Sequence, residues 1–113
     1  MENSNQMEVI QAVYDEMIEE LAEMHSRWVE SNFAMRSMEL AKSQIESRGD
    51  IKIDYASKVL SDHYEKLAKD NEDMTDRLHA KREFIAKFRW RVKELSGYDV
   101  DGGGDKIRDI YGY

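Results

Sequence analysis

Residues 7–45 read MEVIQAVYDEMIEELAEMHSRWVESNFAMRSMELAKSQI, and residues 57–95 read SKVLSDHYEKLAKDNEDMTDRLHAKREFIAKFRWRVKEL. In the first stretch a seam recurs at Met7, Ile10, Tyr14, Met17, Leu21, Met24, Trp28, Ser31, Met35, Met38, Lys42 and Ile45. In the second it recurs at Ser57, Leu60, Tyr64, Leu67, Asn71, Met74, Leu78, Lys81, Ile85, Phe88, Val92 and Leu95. Steps of three and four alternate throughout, which is the a/d spacing of a coiled coil. The two seams are equal in length and mirrored about residue 51, so on folding back every a position faces a d position. Residue numbers then sum to 102 across the seam, and the polar Ser31 meets the polar Asn71. The pattern predicts an all-α fold: an antiparallel two-helix coiled-coil hairpin.

Punctuation supports the same reading. Proline is absent, and the six glycines stand at Gly49, Gly97, Gly102, Gly103, Gly104 and Gly112. Two long stretches therefore contain neither helix breaker. Each could form a rod on the order of 60 Å long at ~1.5 Å per residue. The expected organisation is a hairpin over 1–97, with helix one about 6–48, a tip at 48–54 and helix two about 54–96. Asn5 and Glu8 resemble a capping box at the start of helix one. Gly49 suits a left-handed cap at its end, and Asp50 or Asp54 can open helix two. Residues 98–113 follow as a Gly-hinged, flexible tail whose Ile107, Ile110 and Tyr111 share one face of a short helix.

Charge sets the direction of packing. The chain of 113 residues carries a net charge of −7. Residues 1–30 hold eight acids and one arginine, whereas residues 77–95 hold seven bases and two acids. Antiparallel folding brings these ends together and so favours that register. Two helices with one shared seam make a thin core, and Val29, Phe33 and Leu40 lie off it. Closure of a four-helix bundle by dimerisation is the simplest way to cover them.

Composition narrows the classes of function. There is no cysteine, hence no disulfide and no thiol chemistry, as suits a reducing compartment. No apolar run approaches the ~20 residues of a membrane span, and Met1–Glu8 lacks the basic and apolar pattern of a leader. A cytoplasmic location without membrane attachment is expected. Phosphate cradles and nucleophile elbows are missing, since Gly102–Gly104 run into Asp105 rather than Lys-Ser/Thr. His25, His63 and His79 share no helix face, and Asp99, Asp101 and Asp105 lack the twelfth-position glutamate of a calcium loop. No catalytic, cofactor or metal set is therefore assigned. Arg48-Gly49-Asp50 at the tip spells an integrin-type tripeptide, which a glycine cap among surface residues explains equally well.

Glu19-Glu20-Leu-Ala-Glu23 resembles the Glu-Glu-x-x-Glu half of the metal site of MazG-like nucleotide pyrophosphatases. That resemblance implies a dimeric helical bundle holding Mg²⁺ against a phosphate chain. It covers five residues. The family's second element, Glu-x-x-Asp, is not matched: Glu39-Leu-Ala-Lys42 and Glu46-Ser-Arg-Gly-Asp50 both depart from its spacing.

The basic stretch 77–93 interleaves cations with Phe84, Phe88 and Trp90, a combination that contacts phosphates and stacks on bases. Helix one offers acids at matching height, and an off-seam Trp90 between Arg89 and Arg91 suits a protein contact better. The leading expectation is a non-enzymatic interaction module: an adaptor, assembly factor, chaperone or inhibitor. Its partners would be itself, as a homodimer or larger, and another protein. The contact residues expected are Val29, Phe33, Leu40, Arg89, Trp90, Arg91, Ile107, Ile110 and Tyr111. A nucleic-acid accessory protein is the second reading and the pyrophosphatase the third.

Overall fold

A computed structural model describes residues 2–47 and 53–112. Helix α1 runs over Glu2–Ser47, α2 over Ile53–Ser96 and a short α3 over Lys106–Tyr111, with no strand among the described residues. Helix α1 starts four residues earlier than the capping pattern predicts. Asn5 lies within its backbone ladder, because nothing in Glu2–Gln6 forbids helical geometry. The predicted tip, with Arg48, Gly49, Asp50 and Ile51, lies outside the described residues. Asp54 follows the first residue of α2 and so stands inside the helix.

The two long helices pack on each other along the predicted seam. Tyr14 and Phe88 stack with ring centroids 6.4 Å apart, and Asn71 Nδ2 donates to Ser31 Oγ at 3.5 Å. Both pairs sum to 102. Lys81 reaches Glu20 at 2.5 Å, an ion pair between the same two helices. Nearly all described seam positions are buried or half-buried. Leu95 is the exception at 77% exposure, since it closes the last layer and no further layer shields it.

The chain divides into two compact units. One comprises α1 up to His25 together with everything from Arg77 onward. Its core is Tyr14, Met17, Leu21, Leu78, Ile85, Val100 and Ile107. Complete burial of side chains such as Leu21 and Ile85 stabilises by about 1.5–3 kcal/mol each. The other unit, Ser26–Asp76, is built differently. Asn71, at 9% exposure, is its most buried described residue. Trp28 Nε1 donates to Thr75 Oγ1 at 2.7 Å, and that hydroxyl donates to the Asn71 carbonyl at 2.8 Å. Polar bonds thus fix this unit's register where apolar burial is shallow.

The segment after α2 departs from the flexible tail expected for 98–113. Val100 is 2% exposed, and Asp101 and Ile107 are buried. Gly102 and Gly103 adopt φ of 62° and 85°, a left-handed turn that a side chain would strain. Asp105 caps α3 by accepting from Arg108 N at 3.0 Å, and Gly112 closes it. The glycines form a tight turn that returns apolar residues to the hairpin.

Candidate interaction site

The C-terminal segment is held by one polar cluster. Tyr14 sits at a seam position and is completely buried, so its hydroxyl needs an internal acceptor. It donates to Asp101 Oδ2 at 2.5 Å. Arg89 donates a fork to Asp99, Nε to Oδ1 at 2.9 Å and Nη2 to Oδ2 at 3.0 Å. Its Nη1 lies 3.4 Å from Asp101 Oδ2, and the Asp101 side chain is only 1% exposed. Asp99 also accepts from Asp101 N and Gly103 N, each at 3.0 Å, while Lys106 N reaches Asp101 Oδ2 at 3.2 Å. Among the described residues no buried side-chain nitrogen or oxygen lacks a partner.

These contacts displace the ionisation of their members. Hydrogen bonding from Arg89, and then from the Asp101 backbone, holds the Asp99 carboxyl well below the usual carboxylate range. The hydrogen bond to Asp99 likewise raises the Arg89 guanidinium, against the effect of burial. Burial first, and the Asp101 hydrogen bond second, push the Tyr14 phenol up. The cluster is thus a charged clasp with a neutral phenol at its base. The Asp101 carboxylate, shut off from water, is costly to strip of these partners once they are in place.

A second layer surrounds the clasp. Gln11 Nε2 donates to the Val100 carbonyl at 2.8 Å, and Tyr98 Oη donates to Gln11 Oε1 at 2.7 Å. Arg82 lies over the Tyr111 ring at 4.8 Å, and His25 meets that ring edge-on at 4.7 Å. A cleft of about 430 Å³ lies between α2 and this segment, lined by Arg82, Ala86, Arg89, Trp90, Lys93, Asp105 and Ile107.

The expected contact residues therefore separate into two sets. Val29, Phe33, Leu40 and Trp90 are exposed by 46%, 73%, 60% and 62%. Arg91 is exposed and pairs with Glu94 at 3.2 Å. Arg89, Ile107, Ile110 and Tyr111 face inward instead: Arg89 is the clasp's cation, Ile107 is buried, and Ile110 and Tyr111 are half-buried. The sequence carried only the two halves of this signal, far apart in the chain. A tyrosine hydroxyl in a seam demands an acceptor, and Asp99 and Asp101 are acids that follow the helix directly. Among the described residues there is no group of three or more His, Cys, Asp or Glu that could hold a metal ion. No described helix is long and apolar enough to cross a membrane. Compared with known protein families, curated proteins and solved structures, the chain matches none.

Proposed function

We propose that this chain is a non-enzymatic helical interaction module that self-associates and engages another protein. The observation that carries this reading is the exposure of Val29, Phe33, Leu40 and Trp90 on helices whose seam is already occupied. Large apolar groups left in water beyond a filled core mark contact surfaces when they line up on one face. Val29, Phe33 and Leu40 do so at i, i+4 and i+11. Trp90, on the rim of the cleft beside Ile107, is the kind of side chain that anchors protein interfaces. We place the module in the cytoplasm, a reducing compartment that a cysteine-free chain suits.

The same geometry weighs against nucleic acid as the partner of 77–93. Of its seven bases, Lys81 pairs with Glu20, Lys87 with Glu83, Arg89 with Asp99 and Arg91 with Glu94, while Arg82 lies on the Tyr111 ring. Phe88 is half-buried at a seam position with the Tyr14 ring against it. The exposed pairs are individually weak, but Arg89 and Lys81 are held by partners across the fold. Light scattering of the full chain tests the reading. A mass of at least twice 13.3 kDa at micromolar concentration is expected. A persistent single chain that binds DNA at physiological salt, with affinity falling steeply as salt rises, would transfer the assignment to nucleic acid.

A further inference from the structure

The unit that contains the clasp has two flanks. With Met7 at a and Ile10 at d, positions e and g lie on opposite sides of the seam, and in an antiparallel pair e meets e and g meets g. The C-terminal segment touches the e flank: Gln11, His25, Arg82 and Arg89 are all e positions. The g flank carries Val13 on α1 and Phe84 on α2, exposed by 41% and 60%, with Val9 beside them at 63%. An apolar cleft of about 270 Å³ opens near the helix ends, lined by Met7, Ile10, Phe88, Val92, Leu95 and Arg91. The chain covers one flank of its own hairpin and leaves the other bare.

We propose that this bare flank receives a second copy of the chain, related by a two-fold axis parallel to the helices. Each α1 then lies against the α2 of the other copy and closes a four-helix bundle. This rests on the self-association proposed above and assigns it a face, leaving Phe33 and Trp90 for a different protein. Charge selects the pairing. The α1 flank presents Glu16, with Glu20 beside it paired to Lys81, whereas the α2 flank presents Lys87 and Arg91, whose partners Glu83 and Glu94 hold them only through exposed same-helix pairs. With this two-fold, residues across the new contact sit at the same heights as in the intrachain seam. Glu16 of one copy then stands level with Lys87 of the other, and Val9 with the second copy's Lys93 and Leu95 turn. An α1-to-α1 contact would set acids against acids. The apolar residues Val13, Phe84 and Leu95 become the inner layers of the bundle, with the charges at its edges.

The test is the mass of the full chain by light scattering, with helicity followed by circular dichroism. Val13→Glu combined with Phe84→Glu should yield single chains of 13.3 kDa with helicity retained. Glu16→Lys alone and Lys87→Glu alone should each weaken association by about tenfold, and an equimolar mixture of the two should regain it. An unaltered mass for the Val13/Phe84 variant, with Phe33→Glu dissociating the assembly, would overturn this face while leaving self-association standing. A wild-type chain that is already single overturns both. If the Val13/Phe84 variant unfolds, the mixture decides: no recovery contradicts the proposal.

Discussion

Tyr14→Phe removes one oxygen from the base of the clasp and little else. The ring remains in its buried site, stacked on Phe88, so no cavity opens. What is lost is the 2.5 Å bond to Asp101, whose carboxylate is then held by Arg89 Nη1 at 3.4 Å and Lys106 N at 3.2 Å. A hydrogen bond to a charged group contributes about 1.5–3 kcal/mol, and a buried acceptor left short of partners keeps the cost at the upper end. For a chain of this size that corresponds to a fall in melting temperature of about 6–12 °C. Tyr98→Phe is the control, because its hydroxyl bonds Gln11 at 2.7 Å in an exposed setting. It should cost under ~1 kcal/mol. Thermal melts by circular dichroism, with urea melts for the free energies, measure both. A Tyr14→Phe variant as stable as the wild type would refute the clasp as the fastening of the C-terminal segment.

Three further outcomes follow from the same geometry. Ile85→Ala, at a fully buried position, should destabilise by about 2–5 kcal/mol in urea melts, whereas Leu40→Ala, at 60% exposure, should stay within ~0.5 kcal/mol of wild type. Truncation after Gly97 uncovers the faces against Val100 and Ile107, so it should lower the melting temperature and speed proteolysis of the α1 start; an unchanged melt would show that the segment adds no stability. The pH dependence has two limbs. Asp99, lowered in the folded state, contributes fully above the ordinary carboxylate range near ~3.9 and loses that contribution as pH falls through its folded value. Tyr14, raised in the folded state, contributes fully below pH ~10 and loses its contribution as pH climbs toward its folded value. In a pH series of melts the gap between wild type and Tyr14→Phe should therefore narrow above pH ~10, and a constant gap would contradict it.

The long helices and their register were legible because a coiled coil repeats its instruction every seven residues, and the polar Ser31–Asn71 layer marks one alignment. The clasp was not legible in the same way. It joins Tyr14 to Asp101 and Arg89 to Asp99 once each, with no repetition, across 87 and 10 residues of chain. Its three consecutive glycines read as a hinge when taken locally. Only tertiary contact distinguishes a hinge from a tight turn, since the backbone freedom of glycine serves both. The same contact buries Ile107 and engages Arg89 and the half-buried Tyr111 within the chain. Val29, Phe33, Leu40 and Trp90 stayed outward because the seam they flank was already complete.

α1 and α2 meet with residue numbers summing to 102, and the clasp, the bare flank and the exposed strip all depend on that alignment. Met24→Cys with Leu78→Cys measures it directly, because facing a and d positions bring Cα atoms within the 4.4–6.8 Å or so that a disulfide spans. Mild oxidation should close a bond within one chain, seen as a faster-migrating single-chain band that reductant reverses. Disulfides formed solely between chains, or none at all, would contradict this register.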